Sequence, residues 1–351
     1  MRVKLLGIFL LVAALVFLLV RTFEARRPAQ TPTPTASQMT APASGGAAPD
    51  SSTVIYAHNL LLRQGPGLQV YVNWLHGHLT RAHSNVIPSF DEPNSFFIDI
   101  DTGALHVSLD EISAFLNASG LSKTSLRNIR LSGVGNQLKL NATLRKVVPL
   151  PIEVTSVMSP LPDGRIQLHI LKIAVVKIPV RGLLRGLNLK IADLFNAKSV
   201  AGVQVTSDDI FLDGSTLMPA PHIRGHLTAV RIVNSTLDEV YGKSTEKDEI
   251  RVEQWRNFLR LRGGTLTLGR LTMHGADIIM IDTSNDQWFE LDLAKYEEQL
   301  VNGYIRMTPE AGLQIFMPDL SLIPKNKANA EISIEWMKNR NVPPPPDVTS
   351  R

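Results

Sequence analysis

The chain has 351 residues, 44% of them apolar and only 6% aromatic, with no cysteine and a formal charge of +4. Disulfides, thiolate nucleophiles and Cys-ligated metal centres are therefore excluded, and Leu, Ile and Val must supply the core. Five bases and one acid within residues 1–27 account for the whole excess charge; the other 324 residues carry 31 of each sign, so the body lacks the basic surplus expected of a nucleic-acid partner.

Residues 1–22 open with Arg2 and Lys4, followed by 16 uncharged, almost wholly apolar residues from Leu5 to Val20. As a helix these span about 24 Å, a little short of the ~30 Å hydrocarbon layer. No small-x-small cleavage pattern comes after them, so an uncleaved signal anchor holding residues 5–20 in the inner (cytoplasmic) membrane is expected. Basic residues flank both ends and nearly balance the positive-inside rule. The body is placed on the periplasmic, extracytoplasmic side because a single N-terminal export-like segment normally carries the rest of its chain across the membrane. Residues 23–53, rich in Pro, Thr, Ala and Ser, read as a disordered linker, and residues 326–351, with "NVPPPPDVTSR", as a largely disordered tail. The folded body is expected over 54–325.

Within the body, period-two alternation dominates. "LQVYVNW" sets Leu68, Val70, Val72 and Trp74 on one face behind a Gly65-Pro66-Gly67 turn, which predicts a hairpin over 54–75. "FFIDIDTGALHVSL" predicts two strands around an Asp-Thr-Gly turn. "SLDEISAFLN" predicts a helix with Ser108 and Glu111 in capping-box spacing and Ile112, Phe115 and Leu116 buried. "LKLNATL" alternates, and "IEVTSVM" and "IQLHI" flank the turn "LPDGR". "IPVRGLLRGLNLKIADLF" (178–195) carries apolar residues at helical spacings of three and four. "HIRGHLTAVRIV", "GTLTLGRLTM", "ADIIMID" and "YIRMTPEAGLQIFM" continue the alternation, with a bulge expected at Gly269-Arg270. "DEIRVEQWRNFLR" and "LAKYEEQLVN" are further helix candidates. The sum is an α+β fold: a large antiparallel β-sheet with a few long amphipathic helices, behind an N-terminal transmembrane anchor.

Chemistry is sparse. Asp101 in "IDIDTGA" resembles the active-site turn of an aspartic-type hydrolase, but a hairpin turn uses the same residues. His76, His78 and His83, and His222 with His226, lack the convergent carboxylates of a metal site. Asp99 with Asp101, and Asp208 with Asp209, read as solvated pairs. No nucleophile elbow, phosphate loop or dinucleotide fingerprint occurs. No catalytic residue, metal site or cofactor is expected, and no protein partner is legible.

The succession "VSLDEISAFLN", "SLRNIRLSGVGNQLKLNATL", "PLPIEVTSVMSPLPDGRIQLHILKI" and "GVQVTSDDIFLD" resembles the LmeA-like phospholipid-binding family of bacterial envelope proteins, similar in plan to the tubular lipid-binding superfamily of BPI/SMP type. The resemblance spans residues 96–235 and leaves 240–340 unexplained. It implies a large curved antiparallel β-sheet wrapped on long amphipathic helices, enclosing an acyl-chain groove, and no catalysis. Physics points the same way: a two-chain lipid with ~30 methylenes needs on the order of 20 kcal/mol of apolar lining to leave a bilayer. The expected groove residues are Val180, Leu183, Leu184, Leu187, Ile191, Leu194 and Phe195 on the helix, and Ile166, Leu168 and Ile170 on the strand before it. Arg181 and Arg185 are the head-group candidates. The expected function is a membrane-anchored lipid-binding or lipid-transfer protein for a phospholipid or other membrane lipid; a non-catalytic scaffolding envelope protein is the alternative.

Overall fold

A computed structural model describes residues 52–64, 67–118, 126–145, 149–175, 200–243 and 255–323. The expected anchor, nearly all of the linker and tail, and the helix at 178–195 lie outside the described residues. Thr53, assigned above to the linker, instead begins the first strand.

Strand β1 (Thr53–Gln64) and β2 (Leu68–Arg81) form the expected hairpin, paired from Thr53↔Leu79 to Gln64↔Leu68. Leu68, Val70, Val72 and Trp74 all point into the core. Strand β3 (Phe96–Ser108) lies antiparallel to β2 and is one continuous strand, not two around a turn. The Asp-Thr-Gly segment is a bulge: Gly77 faces Ile100 while His76 faces Thr102, leaving Asp101 unpaired. The buried positions consequently shift from Phe96, Ile98 and Ile100 to Gly103 and Leu105. A bulge produces the same break in alternation as a turn, and the neighbouring strand decides between them.

Helix α1 (Leu109–Ala118) starts as its capping signature predicts. Ser108 Oγ accepts from Asp110 N at 3.2 Å, and the Glu111 carboxylate accepts from the Ser108 N–H. Strands β4 (Leu126–Val134), β5 (Gln137–Arg145), β6 (Pro149–Pro160) and β7 (Ile166–Val175) then form an antiparallel meander, extended by β8 (Val203–Val205) and β9 (Asp209–Leu212). This is a separate six-stranded sheet, ordered β4-β5-β6-β7-β9-β8.

After the short helix α2 (Gly214–Leu217) the chain returns to the first sheet. Strand β10 (His222–Gly225) runs parallel to the first half of β3; β11 (Leu227–Val233) and β12 (Thr236–Tyr241) form a hairpin whose β12 pairs with the second half. Strands β13 (Phe258–Leu268) and β14 (Leu271–Asp282) form a hairpin on β1. Gly269-Arg270 is its two-residue turn, with Leu268 opposite Leu271, and not the expected bulge. Of the helix expected over "DEIRVEQWRNFLR" (248–260), residues 248–254 lie outside the described residues, and the end is corrected, since Phe258 onward is strand. Strand β15 (Phe289–Asp292), helix α3 (Tyr296–Asn302), β16 (Tyr304–Met307) and β17 (Leu313–Met317) complete an 11-stranded sheet. Two sheets thus replace the single sheet expected, and the pairings β1–β15, β3–β10 and β14–β17 are parallel. Among the described residues the longest helix has 10 residues, and none is long and apolar enough to cross a membrane.

The described residues 255–323, which had no explanation in the sequence, supply much of the core. Leu261, Leu266, Ile278, Phe289 and Phe316 are completely buried, each contributing about 1.5–3 kcal/mol of burial. Helix α3 plugs this core with Tyr296, whose hydroxyl donates to Asp91 Oδ1 at 2.6 Å and accepts from Gly269 N at 3.0 Å.

Candidate functional site: an aliphatic cavity between the sheets

The six-stranded sheet is not packed in the same way. Along β7 the alternation places Ile166, Leu168 and Ile170 on one face, yet all three keep substantial accessible surface. They line a cavity of about 750 Å³, within the size range of small-molecule sites. Strands β4 to β6 add Ile129, Leu131, Leu138, Leu140, Val154 and Met158 to the same wall. The first sheet supplies Leu68, Val70, Leu105 and Val107, and helix α1 supplies Ile112, Phe115 and Leu116. Phe115 and Leu116 are half-buried because they face this cavity, whereas Ile112 is buried as predicted.

The two sheets are drawn together by close backbone contacts. In the "LPDGR" turn, Gly164 has φ +85°, and a Cβ there would lie 2.8 Å from the Gly225 carbonyl oxygen on β10. His226 Nδ1 lies 3.3 Å from the Pro162 carbonyl oxygen in the same turn. Beyond β9, Asp213 caps α2 by accepting from Ser215 N at 3.1 Å, Ser215 Oγ at 2.7 Å and Thr216 Oγ1 at 2.8 Å. Burial alone would raise the Asp213 carboxyl, but these hydrogen bonds outweigh it and hold the group below the usual carboxylate range.

Polar groups are a minority of the cavity wall. Arg165 pairs with Asp163 at 2.7 Å and donates to Gln204 Oε1 at 3.0 Å. Arg224 donates two parallel hydrogen bonds to Asp99, at 2.7 and 2.9 Å, and lies 3.8 Å over the Phe97 ring. The third polar feature was not anticipated. In "TLDEVY" the alternation of β12 turns Leu237, Glu239 and Tyr241 into the cavity. Tyr241 Oη donates to Glu239 Oε2 at 2.8 Å. Across the strands, Glu239 stands opposite Leu105 and Val230, both buried and apolar. It is half-buried and lines the cavity. Burial pushes its carboxyl above the usual range, opposed only by the Tyr241 hydrogen bond, and pushes the Tyr241 phenol well up. The signal was present in the sequence: Leu237 and Tyr241 at i and i+4 of a strand oblige Glu239 to share their face.

The expected groove residues therefore divide. Ile166, Leu168 and Ile170 are brought together on the cavity wall. Val180, Leu183, Leu184, Leu187, Ile191, Leu194 and Phe195, and the head-group candidates Arg181 and Arg185, lie outside the described residues. The other candidates fall elsewhere. Asp101 is 47% exposed and lies 3.1 Å from His78 Nε2, whose Nδ1 is 3.3 Å from Ser52 Oγ; none of the three lines the cavity. Asp209 accepts from Gln167 Nε2 at 2.9 Å and lies 2.9 Å from His169 Nδ1. Among the described residues no three His, Asp or Glu side chains are arranged to hold a metal ion.

A separate polar centre, at the start of the β14–β15 connection, gathers Asp282, Asp286 and Asp319. Asn257 Nδ2 donates to Asp282 Oδ2 at 3.0 Å, and Ser284 Oγ lies 2.9 Å from both Asp282 and Asp286. Asp319 is 6% exposed. Burial and the carboxylates of Asp282, Asp286 and Glu290 push its pKa up to about 7. No protein-family model, curated protein or solved structure matches the chain.

Proposed function

We propose that this protein is a non-catalytic lipid-binding or lipid-transfer protein, anchored by residues 5–20 in the inner membrane, that holds acyl chains of a phospholipid or other membrane lipid on the extracytoplasmic side. One observation carries the reading. An aliphatic strand face, Ile166, Leu168 and Ile170, is left uncovered by the side chains of the described residues and borders a cavity of about 750 Å³. A protein interior is normally packed to crystal-like density. Open apolar volume on this scale loses dispersion contacts unless a guest supplies them, and each methylene of a guest gains about 0.8 kcal/mol on leaving water. Lipid chains are the apolar molecules available to a membrane-anchored protein. The anchor and its orientation rest on the sequence pattern alone.

The test is native mass spectrometry of the full-length protein purified from membranes. Co-purifying lipid, lost when Leu168→Glu places a carboxylate in the cavity wall, is the expected result. An apo mass under conditions that retain lipid on a reference carrier would overturn the reading and favour a scaffold.

A further inference from the structure

A purely hydrocarbon guest has no use for a carboxyl group, yet Glu239 faces the cavity. The Glu239–Tyr241 pair is internally half satisfied. Oε2 accepts from the Tyr241 hydroxyl at 2.8 Å, while among the described residues Oε1 has no hydrogen-bond partner. No cation of the described residues offsets the burial; the flanking strands present Leu105 and Val230. Tyr241 is itself locked in place. It is 7% exposed, and its ring packs so closely on Gly225 that a Cβ there would lie 2.7 Å from Tyr241 Cδ1. Opposite it on β3 is Gly103, which has no side chain to displace the ring. Tyr241 thus fixes one oxygen of a carboxyl whose side chain lines the cavity, and the other is left without a partner among the described residues.

From this geometry we infer that Glu239, oriented by Tyr241, is a hydrogen-bonding anchor that selects lipids bearing an uncharged hydroxyl group, such as a long-chain alcohol or an acylglycerol, over plain hydrocarbon and over anionic head groups. The inference rests on the lipid-binding reading and specifies its ligand. A hydroxyl can both donate and accept, so it satisfies Oε1 whether or not the carboxyl carries its proton. An anion placed there would be desolvated among aliphatic side chains with no cation of the described residues beside Glu239. Arg165 and Arg224, the basic side chains among the described residues of the cavity wall, are already paired with Asp163 and Asp99.

The experiment measures displacement of 1-anilinonaphthalene-8-sulfonate from the full-length protein by hexadecane, 1-hexadecanol and hexadecyl phosphate. The inference expects 1-hexadecanol to bind about tenfold more tightly than hexadecane, the effect of one buried hydrogen bond, and more tightly than hexadecyl phosphate. Glu239→Gln, which keeps donor and acceptor, should retain the preference; Glu239→Leu should abolish it while hexadecane binds as well or better. Equal binding of hexadecanol and hexadecane, or tighter binding of the phosphate, overturns the anchor and leaves the lipid-binding reading intact. Displacement by none of the three overturns both. The comparison of ligands on the unaltered protein stands even if a variant fails to fold.

Discussion

Glu239 and Tyr241, two residues apart on one strand, share a 2.8 Å hydrogen bond in the wall of a cavity otherwise lined mainly by aliphatic side chains. An incompletely bonded acid in a closed apolar core costs several kcal/mol, and Glu239 lies instead on a strand face that lines open volume.

The cavity wall should be separable from fold stability. Leu168 is half-buried and faces open volume, so Leu168→Ala should cost less than the 2–5 kcal/mol typical of a core leucine, about 1 kcal/mol. Leu261→Ala, at a completely buried position, should cost the full amount. Urea denaturation of both variants measures the difference, and equal losses would mean that the space around Leu168 is filled.

The "LPDGR" turn depends on Gly164 for two reasons that can be told apart. Gly164 and Gly135 both have positive φ, but a Cβ at Gly135 meets nothing within 4 Å, whereas at Gly164 it meets the Gly225 carbonyl oxygen. Gly135→Ala should cost about 1 kcal/mol of backbone strain. Gly164→Ala should cost at least about 2 kcal/mol, since the turn must also retreat from β10. Thermal denaturation of the pair gives the comparison.

Stability should fall with rising pH through the range set by Asp319. Its folded pKa, raised to about 7, exceeds an unfolded value of about 4. The folded state therefore holds the proton that the unfolded state releases. The contribution is intact below about pH 4, declines between about pH 4 and pH 7, and is level above that. Asp319→Asn should flatten this slope and stabilise the protein by on the order of 2 kcal/mol at pH 8, with little change at pH 4. Urea midpoints across pH 4–8 provide the readout.

Asp101 should be dispensable. It sits on an exposed bulge, beside His78, and exposed pairs of this kind contribute about 0–1 kcal/mol. Asp101→Asn should leave stability within about 0.5 kcal/mol and lipid retention unchanged. A peptidase activity that disappeared in this variant would replace the lipid reading with a hydrolase.

Much of the strand plan was readable because a half-buried strand must alternate. "LQVYVNW", "LKLNATL" and "IQLHI" lie where their patterns placed them, and Ser108 with Glu111 marked the start of α1 through local hydrogen bonding alone. The misreadings arose where two backbone solutions share one pattern. Asp-Thr-Gly at 101–103 and Gly-Arg at 269–270 each break an alternation, and only the neighbouring strand decides which is bulge and which is turn.

What the sequence determined by itself was the supply of aliphatic strand faces, including Ile166, Leu168 and Ile170, since side-chain alternation is a property of the single strand. Tertiary structure decided what those faces meet. The return of β10–β12 to β3 split the strands into two sheets, set Glu239 opposite Leu105, and left space beside β7 while closing the core around α3. Pairing partners come from distant parts of the chain, and no local pattern states which of them will be matched by a filled interior and which by a void.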